Sequence, residues 1–394
     1  RGYSKEAGFT DSDQSGAQLK RWVVSQSQEV YILLDEGRFG TVSLATFASG
    51  EDVDGVIADR IPDKQRAHLL DQKVRIMETD AKPVDAGGSS RVVESGHPVF
   101  EKYRRYAMRG ASYPGSPGKG RRIAFASAFR DEPFCMAVEG SIREQSALAG
   151  FADKDVQIFD NEYDPRKAIE NAELVLKTHP DVFVEFQIDF KTNSLIRAKF
   201  EKQPTKIVSL EIPMHGAHYI GVDDWRTGVL AGKTAYSLMK KKWGGWVPGT
   251  LIVVFQMLVG GEATMLRGEG FLEAFQDEAG LAVDDAILRP DIGDGNEAAV
   301  AAAVDRLVSD YPEPRRMVLT AITERGMRRV VRALQDRERW NQEDFVIVGH
   351  GCDPETQKYI RSGLFDASVA YFPERYGEYV VPLACTLLEG KHAP

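Results

Sequence analysis

The stretch Ile123-Ala-Phe-Ala-Ser-Ala-Phe-Arg-Asp-Glu-Pro-Phe134 joins a short apolar run to a loop of aromatic and acidic residues. Its first part, up to Ala126, is typical of a strand buried on both faces, because such strands carry continuous apolar side chains. A helical segment follows, through Met136 to Leu148. A buried strand that leads directly into a helix is the repeating unit of a parallel α/β sheet.

The same alternation of apolar runs and helical segments continues along the chain. Further strands are predicted at residues 156–159, 182–186, 207–210, 219–222, 251–255, 286–288, 317–320 and 345–348. A Gly-rich helix over 227–241 divides them into two series. Because parallel strands are joined by right-handed helical crossovers, two series predict an α/β fold with two doubly wound parallel-sheet lobes.

Residues 1–110 do not follow this pattern, and we expect them to form a mainly helical extension. Leu19, Trp22 and Val23 suggest one helical face, and apolar residues recur at three-to-four spacing after Pro62. Residues 111–120 contain two Pro, two Ser and three Gly. Gly and Pro supply turns, so this segment is predicted to be a linker.

Composition restricts the classes of function. The net charge of −9 and the pI near 5.5 make nucleic acid an unlikely partner, since its binding needs clustered Lys and Arg. No apolar run approaches the ~20 residues that span a membrane. The spacing of Cys135, Cys352 and Cys385 fits no zinc motif; buried thiols are favoured, and one disulfide stays open.

No cofactor, metal or catalytic activity is expected. His215 and His218 have a suggestive spacing, but a metal site needs further ligands. Gly260-Gly261 lacks the Lys-Ser/Thr pair of a phosphate-binding loop. The chain has no Gly-x-Ser-x-Gly elbow. An enzyme is therefore not predicted.

Several loops that follow the strands carry a resemblance to a known family. They are the aromatic loop ending at Phe134, Gly221-Val-Asp-Asp-Trp-Arg-Thr-Gly228, Arg267-Gly-Glu-Gly-Phe271, Val346-Ile-Val-Gly349 and Phe372-Pro373. In order and spacing the chain resembles the periplasmic binding protein type I family over about residues 121–390. The resemblance implies two lobes joined by three hinge crossings, with one solute enclosed between them. Lobe one would comprise 121–224 plus 372–390, and lobe two 225–371.

Candidate ligand-binding residues follow from this resemblance, because ligands of open α/β sheets bind beyond the carboxyl ends of the strands. They are Phe129, Glu132, Phe134, Phe186, Asp189, Glu211, Asp223, Met265, Thr323, His350 and Tyr371. The chain departs from the family pattern at two positions that usually hold Arg, where it has Ile212 and Met265. Phe134 and Tyr371 fit the core as well as a cleft, and Asp223 also fits a helix cap.

These features predict a receptor that binds a small sugar or polyol without changing it. The expected setting is periplasmic or extracellular, with a membrane ABC permease as partner and the receptor itself a monomer. The alternative is a cytoplasmic transcription regulator of the lactose-repressor type, with a DNA-binding unit in the first 110 residues. Acidic residues outnumber basic ones over 44–61, which opposes phosphate binding there. An export signal would distinguish the two hypotheses.

Overall fold

The computed structural model describes residues 2–11, 14–27, 29–43, 45–78, 97–280 and 286–390. The chain divides into two compact units, Arg1–Val92 and Val93–Pro394.

The first unit contains as much strand as helix. Its elements are β1 (Gly2–Ser4), β2 (Gly8–Asp11), α1 (Gln14–Gln26), β3 (Tyr31–Leu34), β4 (Ala45–Ala48), β5 (Gly55–Ala58), α2 (Asp63–Asp71) and β6 (Arg75–Glu78). They form an antiparallel sheet of order β1-β2-β4 and a parallel sheet of order β3-β5-β6. The core between these elements includes Tyr3, Phe9, Val56 and Leu69.

The prediction of a mainly helical extension is therefore wrong for the described part of the first 110 residues. Helix α1 lies where expected, but the apolar spacing after Pro62 runs through α2 and on into β6, which contains Met77. Strands of three or four residues are too short to show a clear period-two alternation, so the sequence pattern did not reveal them. Residues 79–96 lie outside the described residues.

The second unit contains two parallel sheets, and the first of them is the sheet of lobe one. Its elements are β7 (Ile123–Ser127), α4 (Pro133–Leu148), β8 (Val156–Asp160), α5 (Pro165–Thr178), β9 (Val182–Glu185), α6 (Phe190–Lys199), β10 (Lys206–Leu210) and β11 (His218–Ile220). The strand order is β8-β7-β9-β10-β11. Strand β7 is buried along its whole length, as its apolar sequence predicts.

Lobe two repeats this arrangement. Its elements are α7 (Asp224–Trp243), β12 (Leu251–Phe255), α8 (Glu262–Ala279), β13 (Ile287–Leu288), α9 (Glu297–Asp310), β14 (Met317–Ala321), α10 (Glu324–Asp336), β15 (Phe345–Gly351), α11 (Pro354–Arg361) and β16 (Ala367–Ala370). The order β13-β12-β14-β15-β16 matches that of lobe one strand for strand. The doubly wound two-lobed fold predicted from the sequence is confirmed.

Two passages of the chain join the lobes in the described residues. One lies between β11 and α7, at residues 221–223, and the other follows β16 and leads into α12 (Gly377–Leu388). Helix α12 packs against α4 and against β9 and β10, so the chain returns to lobe one. The third crossing that the family resemblance implies does not occur within residues 97–280 and 286–390.

Residues 98–120 pack against lobe one instead of forming a helical extension and a free linker. Helix α3 (Pro98–Ala107) lies against α12. The buried Tyr113 stacks on Tyr103 with 5.6 Å between ring centroids and donates a hydrogen bond from its hydroxyl to Gln145 Oε1 at 2.9 Å. The Gly118 N–H donates to the Ala149 carbonyl at 2.9 Å. The Gly and Pro residues do form turns, but hydrogen bonds to lobe one fix those turns in place.

Helices α7 and α8 pack closely because glycines face the contact. A Cβ at Gly228 would lie 2.1 Å from the Arg267 carbonyl oxygen, and one at Gly270 would lie 2.4 Å from the Trp225 carbonyl oxygen. Any larger residue would push the helices apart. This close packing brings Arg267, on α8, beside Asp224 at the start of α7.

Cysteine and membrane features complete the description. Cys135, Cys352 and Cys385 are unpaired, and burial raises the pKa of the Cys135 thiol to about 12. Across the described helices, none is both long enough and apolar enough to cross a bilayer.

Candidate ligand-binding site

A cavity lies where the carboxyl ends of the two sheets face one another. Its empty volume, which includes open solvent at the mouth, is about 720 Å³. The lining residues come from loops after strands of both lobes. The charged and polar ones are Glu132, Glu211, Thr264, Arg267, Asp294, Thr323, Glu324, Arg325, His350 and Asp353.

Seven of the eleven candidate residues line this cavity together. They are Glu132, Phe134, Phe186, Glu211, Thr323, His350 and Tyr371. The loops that the sequence pattern singled out thus converge on one space, although they are far apart in the chain.

Phe129, Asp189, Asp223 and Met265 do not line the cavity. Phe129 packs on Tyr163 with 5.4 Å between centroids, one layer behind the wall. Asp189 and Asp223 cap helices α6 and α7, accepting hydrogen bonds from the backbone N–H groups of Lys191 and Arg226. Met265 is exposed on α8. Asp189 and Asp223 thus accept hydrogen bonds from free N–H groups at the start of the next helix, and they do not line the cavity.

Phe134 forms the aromatic wall on the side of lobe one. Its ring makes edge contacts with Phe186, Tyr371 and Tyr376, with centroids 5.7–6.5 Å apart. Such T-shaped packing holds each ring in place. Phe134 is only partly buried, so part of its surface remains available to the cavity.

Glu211 is held in an unusual backbone conformation at the end of β10. Its φ of +59° lies in the left-handed region, which a residue with a side chain adopts only at some energetic expense. Its N–H donates to the Ile220 carbonyl at 3.0 Å, which fixes the turn. The Tyr376 hydroxyl donates to Glu211 Oε1. Burial raises the pKa of the Glu211 carboxyl, while Arg267 and Tyr376 oppose that rise.

Arg267 is the principal site residue that sequence reasoning missed. Its Nε donates to Asp224 Oδ1 at 2.9 Å, its Nη1 donates to the Ile322 carbonyl at 2.7 Å, and its Nη2 lies 3.6 Å from Glu211 Oε2. The guanidinium also lies 5.1 Å from the ring centroid of Tyr371. The motif Arg267-Gly-Glu-Gly-Phe271 matched the family pattern as a helix start, but α8 begins earlier, at Glu262, and nothing in the motif indicated that the Arg267 side chain lies at the cavity.

A second ion-pair group links the two lobes. Arg328, on α10 of lobe two, donates to Glu132 Oε1 of lobe one and to Asp353 Oδ2 at 2.7 Å. Arg325 lies one turn earlier, with its Nε 3.9 Å from Glu132 Oε2. Burial raises the pKa of Glu132, although Arg328 and Arg325 act in the opposite direction. Only the carboxylate of Glu132 was predicted to be at the site.

Glu324 occupies the floor of the cavity in lobe two. It accepts hydrogen bonds from the Cys352 N–H at 2.8 Å, from the Thr356 hydroxyl at 2.9 Å and from the Ser368 hydroxyl. A Cβ at Gly349 would lie 2.6 Å from one of its carboxyl oxygens, so glycine is needed there. Burial raises the pKa of Glu324.

His350 and Tyr371 form a pair on the remaining wall. The Tyr371 hydroxyl lies 3.3 Å from His350 Nδ1 and 3.4 Å from Thr227 Oγ1. Burial, and secondarily the charge of Arg267, lowers the pKa of His350 well below its usual 6.5. The imidazole is therefore neutral at neutral pH.

Among the described residues, no three His, Cys, Asp or Glu side chains are arranged to hold a metal ion. The cavity instead combines aromatic surface with carboxylates, guanidinium groups and a neutral imidazole. Such a set can surround a small polar molecule and form hydrogen bonds to it from several directions.

Comparison with known proteins gives two family matches. Residues 123–392, about two thirds of the chain, match the model of the periplasmic binding protein domain. Residues 1–60 match the model of the DeoR C-terminal sensor domain.

The ribose import binding protein RbsB of Salmonella typhimurium is 21% identical over 272 residues, which cover 68% of this chain and 85% of that protein. RbsB of Escherichia coli is 24% identical over 163 residues, 41% of this chain and 51% of that protein.

Solved structures show the same fold. An ABC transporter periplasmic solute-binding protein from Actinobacillus succinogenes with bound D-allose superimposes with a TM-score of 0.56 and 14% identity, covering 70% of this chain and 93% of that chain. The Caulobacter myo-inositol binding protein gives a TM-score of 0.57 and 15% identity, with coverages of 70% and 90%. The two-lobed topology, the cavity between the lobes and the match over residues 123–392 agree, and the chain belongs to the periplasmic binding protein domain family.

Proposed function

We propose that this protein is a receptor that binds a small sugar or polyol between its two lobes and releases it chemically unchanged. The observation that carries this proposal is the cavity, to which both lobes contribute aromatic and hydrogen-bonding side chains. Sugars have apolar C–H faces and hydroxyl edges, so they fit a site with one aromatic wall and several polar groups. Phe134 and Phe186 supply the apolar wall, and Glu211 supplies a hydrogen-bond acceptor.

The relatives support this ligand class. The curated relatives are ribose import binding proteins, and the similar solved structures hold D-allose, myo-inositol or glycerol. By this analogy we propose that the receptor acts in the periplasm or outside the cell and delivers its solute to a membrane ABC permease. We also propose that it is a monomer.

A second candidate function follows from the N-terminal unit. The match of residues 1–60 to the DeoR C-terminal sensor domain favours a ligand-responsive transcription regulator, although a sensor domain lends no support to the DNA-binding unit expected in the first 110 residues. In that case the same cavity would bind an effector, and the protein would act in the cytoplasm. Fractionation of cells that express the complete gene distinguishes the two: the receptor is recovered from the periplasm and the regulator from the cytoplasm.

The proposed ligand class is tested by thermal unfolding with D-ribose, D-allose, myo-inositol and glycerol, followed by calorimetric titration. A ligand that binds only the folded state adds about 2.7 kcal/mol of stability at a hundredfold excess over its Kd. At least one of the four should raise the unfolding midpoint. The Phe134→Ala variant should lose this shift while it keeps its own midpoint within a few degrees. If none of the four shifts the midpoint of the parent, the proposal is contradicted.

A further inference from the structure

Two buried polar atoms in the cavity wall have no hydrogen-bond partner among the described residues: His350 Nε2 and Arg325 Nη1. His350 is only 2% exposed, and the Arg325 side chain is 15% exposed. Leaving a buried polar group without a partner costs about 1–3 kcal/mol, so such groups are normally paired. Both residues line the same cavity, where a ligand could supply the missing partners.

The other two guanidinium groups in this region, those of Arg267 and Arg328, have no buried nitrogen that lacks a partner among the described residues. Arg267 donates to Asp224 and to the Ile322 carbonyl. Arg328 donates to Asp353, Thr356 and Glu132. Arg325 therefore differs from both, because one end of its guanidinium is left over for a ligand.

Arg325 is also held in a defined orientation. Its guanidinium carbon lies 4.2 Å from the ring centroid of Tyr163 and 5.6 Å from that of Phe129. Stacking on an aromatic face fixes the plane of the guanidinium group, because it is flat. Arg325 lies in the first turn of α10, two residues after the N-cap Thr323, which also lines the cavity. A fixed donor of this kind can distinguish between ligands that differ in one hydroxyl group.

His350 can form a hydrogen bond with a ligand hydroxyl group in either of the two neutral tautomers of its imidazole. Its Nδ1 is engaged by the Tyr371 hydroxyl. If that hydroxyl donates to Nδ1, then Nε2 carries the proton and donates. If Nδ1 carries the proton, then Nε2 accepts. A ligand hydroxyl can be donor or acceptor, so it satisfies both cases.

The charges around Arg325 favour a neutral acceptor over an anionic one. Each of the three guanidinium groups has a carboxylate neighbour: Asp224 for Arg267, Asp353 for Arg328, and Glu132 for Arg325. An anionic ligand group would also lie near Glu211, Asp294 and Glu324, which line the same space. No unbalanced positive charge is available among these lining residues to offset it.

We propose that Arg325 and His350 form a specificity-determining subsite that binds two oxygen atoms of a neutral polyhydroxylated ligand. Arg325 Nη1 donates to one ligand oxygen, and His350 Nε2 forms a hydrogen bond with a second hydroxyl. This inference rests on the proposed function, and it assigns ligand selection to two residues of lobe two.

The test uses the full chain and titrates D-ribose, D-allose and myo-inositol into the parent and into Arg325→Gln, Arg325→Lys and His350→Gln variants. Arg332→Gln is the matched control, because Arg332 lies on the same helix, is exposed and donates to Tyr359. For each sugar that binds the parent, the monodeoxy analogues are titrated as well. The unfolding midpoint of every variant is recorded alongside.

The Arg325 and His350 variants should bind at least tenfold more weakly than the parent, while Arg332→Gln stays within twofold. In addition, removal of one particular ligand hydroxyl should weaken binding to the parent but not to Arg325→Gln, since the partner of that hydroxyl is already gone. If the role of Arg325 were purely structural, the loss of affinity caused by removing each ligand hydroxyl would be the same in Arg325→Gln as in the parent. Suppose that a sugar binds the parent, that Arg325→Gln binds it with the parental affinity, and that each monodeoxy analogue loses as much affinity for the variant as for the parent. The subsite is then overturned, and the proposed function stands. If neither these three compounds nor glycerol binds the parent, the proposed function itself fails, and the subsite fails with it.

Discussion

The hydrogen bond between Arg328 and Glu132 joins lobe two to lobe one, so its loss should open the cleft. The Glu132→Gln substitution keeps the shape of the side chain and removes its charge. Both side chains are largely buried, at 8% and 12% exposure, so solvent does little to screen the pair. A hydrogen bond to a charged group contributes about 1.5–3 kcal/mol, which corresponds to a roughly 10- to 100-fold shift toward the open form.

Glu139→Gln is a matched control for this experiment. Glu139 lies on α4, the helix that begins directly after Glu132. Its side chain is also 12% exposed, and it pairs with Arg130 and Arg143, which both belong to lobe one. Its substitution should lower stability without affecting the relative position of the lobes.

The opening can be measured without ligand by pulsed electron paramagnetic resonance. Spin labels at the exposed positions Glu144, in lobe one, and Gln335, in lobe two, report the distance between the lobes. A Cys352→Ser background removes the one cysteine that is not buried. Glu132→Gln should add a population at longer distance, and Glu139→Gln should match the parent. Identical distance distributions for Glu132→Gln and the parent would refute the view that this pair holds the lobes together.

Three further predictions follow from the same structure. Glu211→Gln should weaken binding of any of the sugars above by about tenfold, because a charged acceptor is lost; titration that gives the parental Kd would contradict the placement of this carboxylate in the site. Gly270→Ala should lower the free energy of unfolding by about 1–3 kcal/mol, because its Cβ would lie 2.4 Å from the Trp225 carbonyl oxygen. Position 140, in α4, has open space around a Cβ, so Gly140→Ala should instead stabilise the helix by about 0.5–1 kcal/mol. Chemical denaturation measures the free energy of unfolding of both variants, and equal effects would show that the α7–α8 contact adapts to the added methyl group. Glu185→Gln should stabilise the protein at neutral pH, since burial raises the pKa of Glu185 well above its usual 4.5 and its Oε2 has no hydrogen-bond partner in the described part of the chain. The folded parent keeps a proton on Glu185 that the unfolded chain releases above pH 4.5, so the free energy of unfolding of the parent falls as the pH rises above 4.5. The advantage of Glu185→Gln over the parent should therefore shrink toward pH 4.5. Unfolding midpoints from pH 4.5 to neutral pH that show no such trend would contradict this prediction.

The arrangement of the lobes could be predicted from the sequence because buried parallel strands leave a direct mark. The run Leu251-Ile-Val-Val-Phe255 is apolar throughout, and it is a fully buried central strand. Strand β16, with the sequence Ala-Ser-Val-Ala, is an edge strand with partial exposure, and its composition gave no comparable signal. The strands of the first unit were missed for a different reason: three or four residues are too few to show a clear period-two alternation.

The candidate site was predictable in position but not in its charge network. Loops after strands were correctly expected to converge, and Glu211 and His350 lie there as a result. Arg267, Arg325 and Arg328 could not be recognised, because their roles depend on partners distant in sequence. Arg328, for example, reaches Glu132 across 196 positions of the chain. A charged residue in a helix is usually solvated, and only tertiary packing shows which of them is buried.

The identical strand order of the two lobes makes the wall of the cavity a pair of topologically equivalent halves. Strand β10 corresponds to β15 and β9 to β14, and by the strand registers Glu211 is the counterpart of His350 and Ile188 is the counterpart of Thr323. If the counterparts were chemically alike, a compact ligand could bind in either of two opposite orientations with equal affinity. Here an acid corresponds to an imidazole and an aliphatic side chain to a hydroxyl, so the pseudosymmetry is broken. A ligand of the proposed kind would therefore meet two chemically different halves, which would favour one of its two orientations.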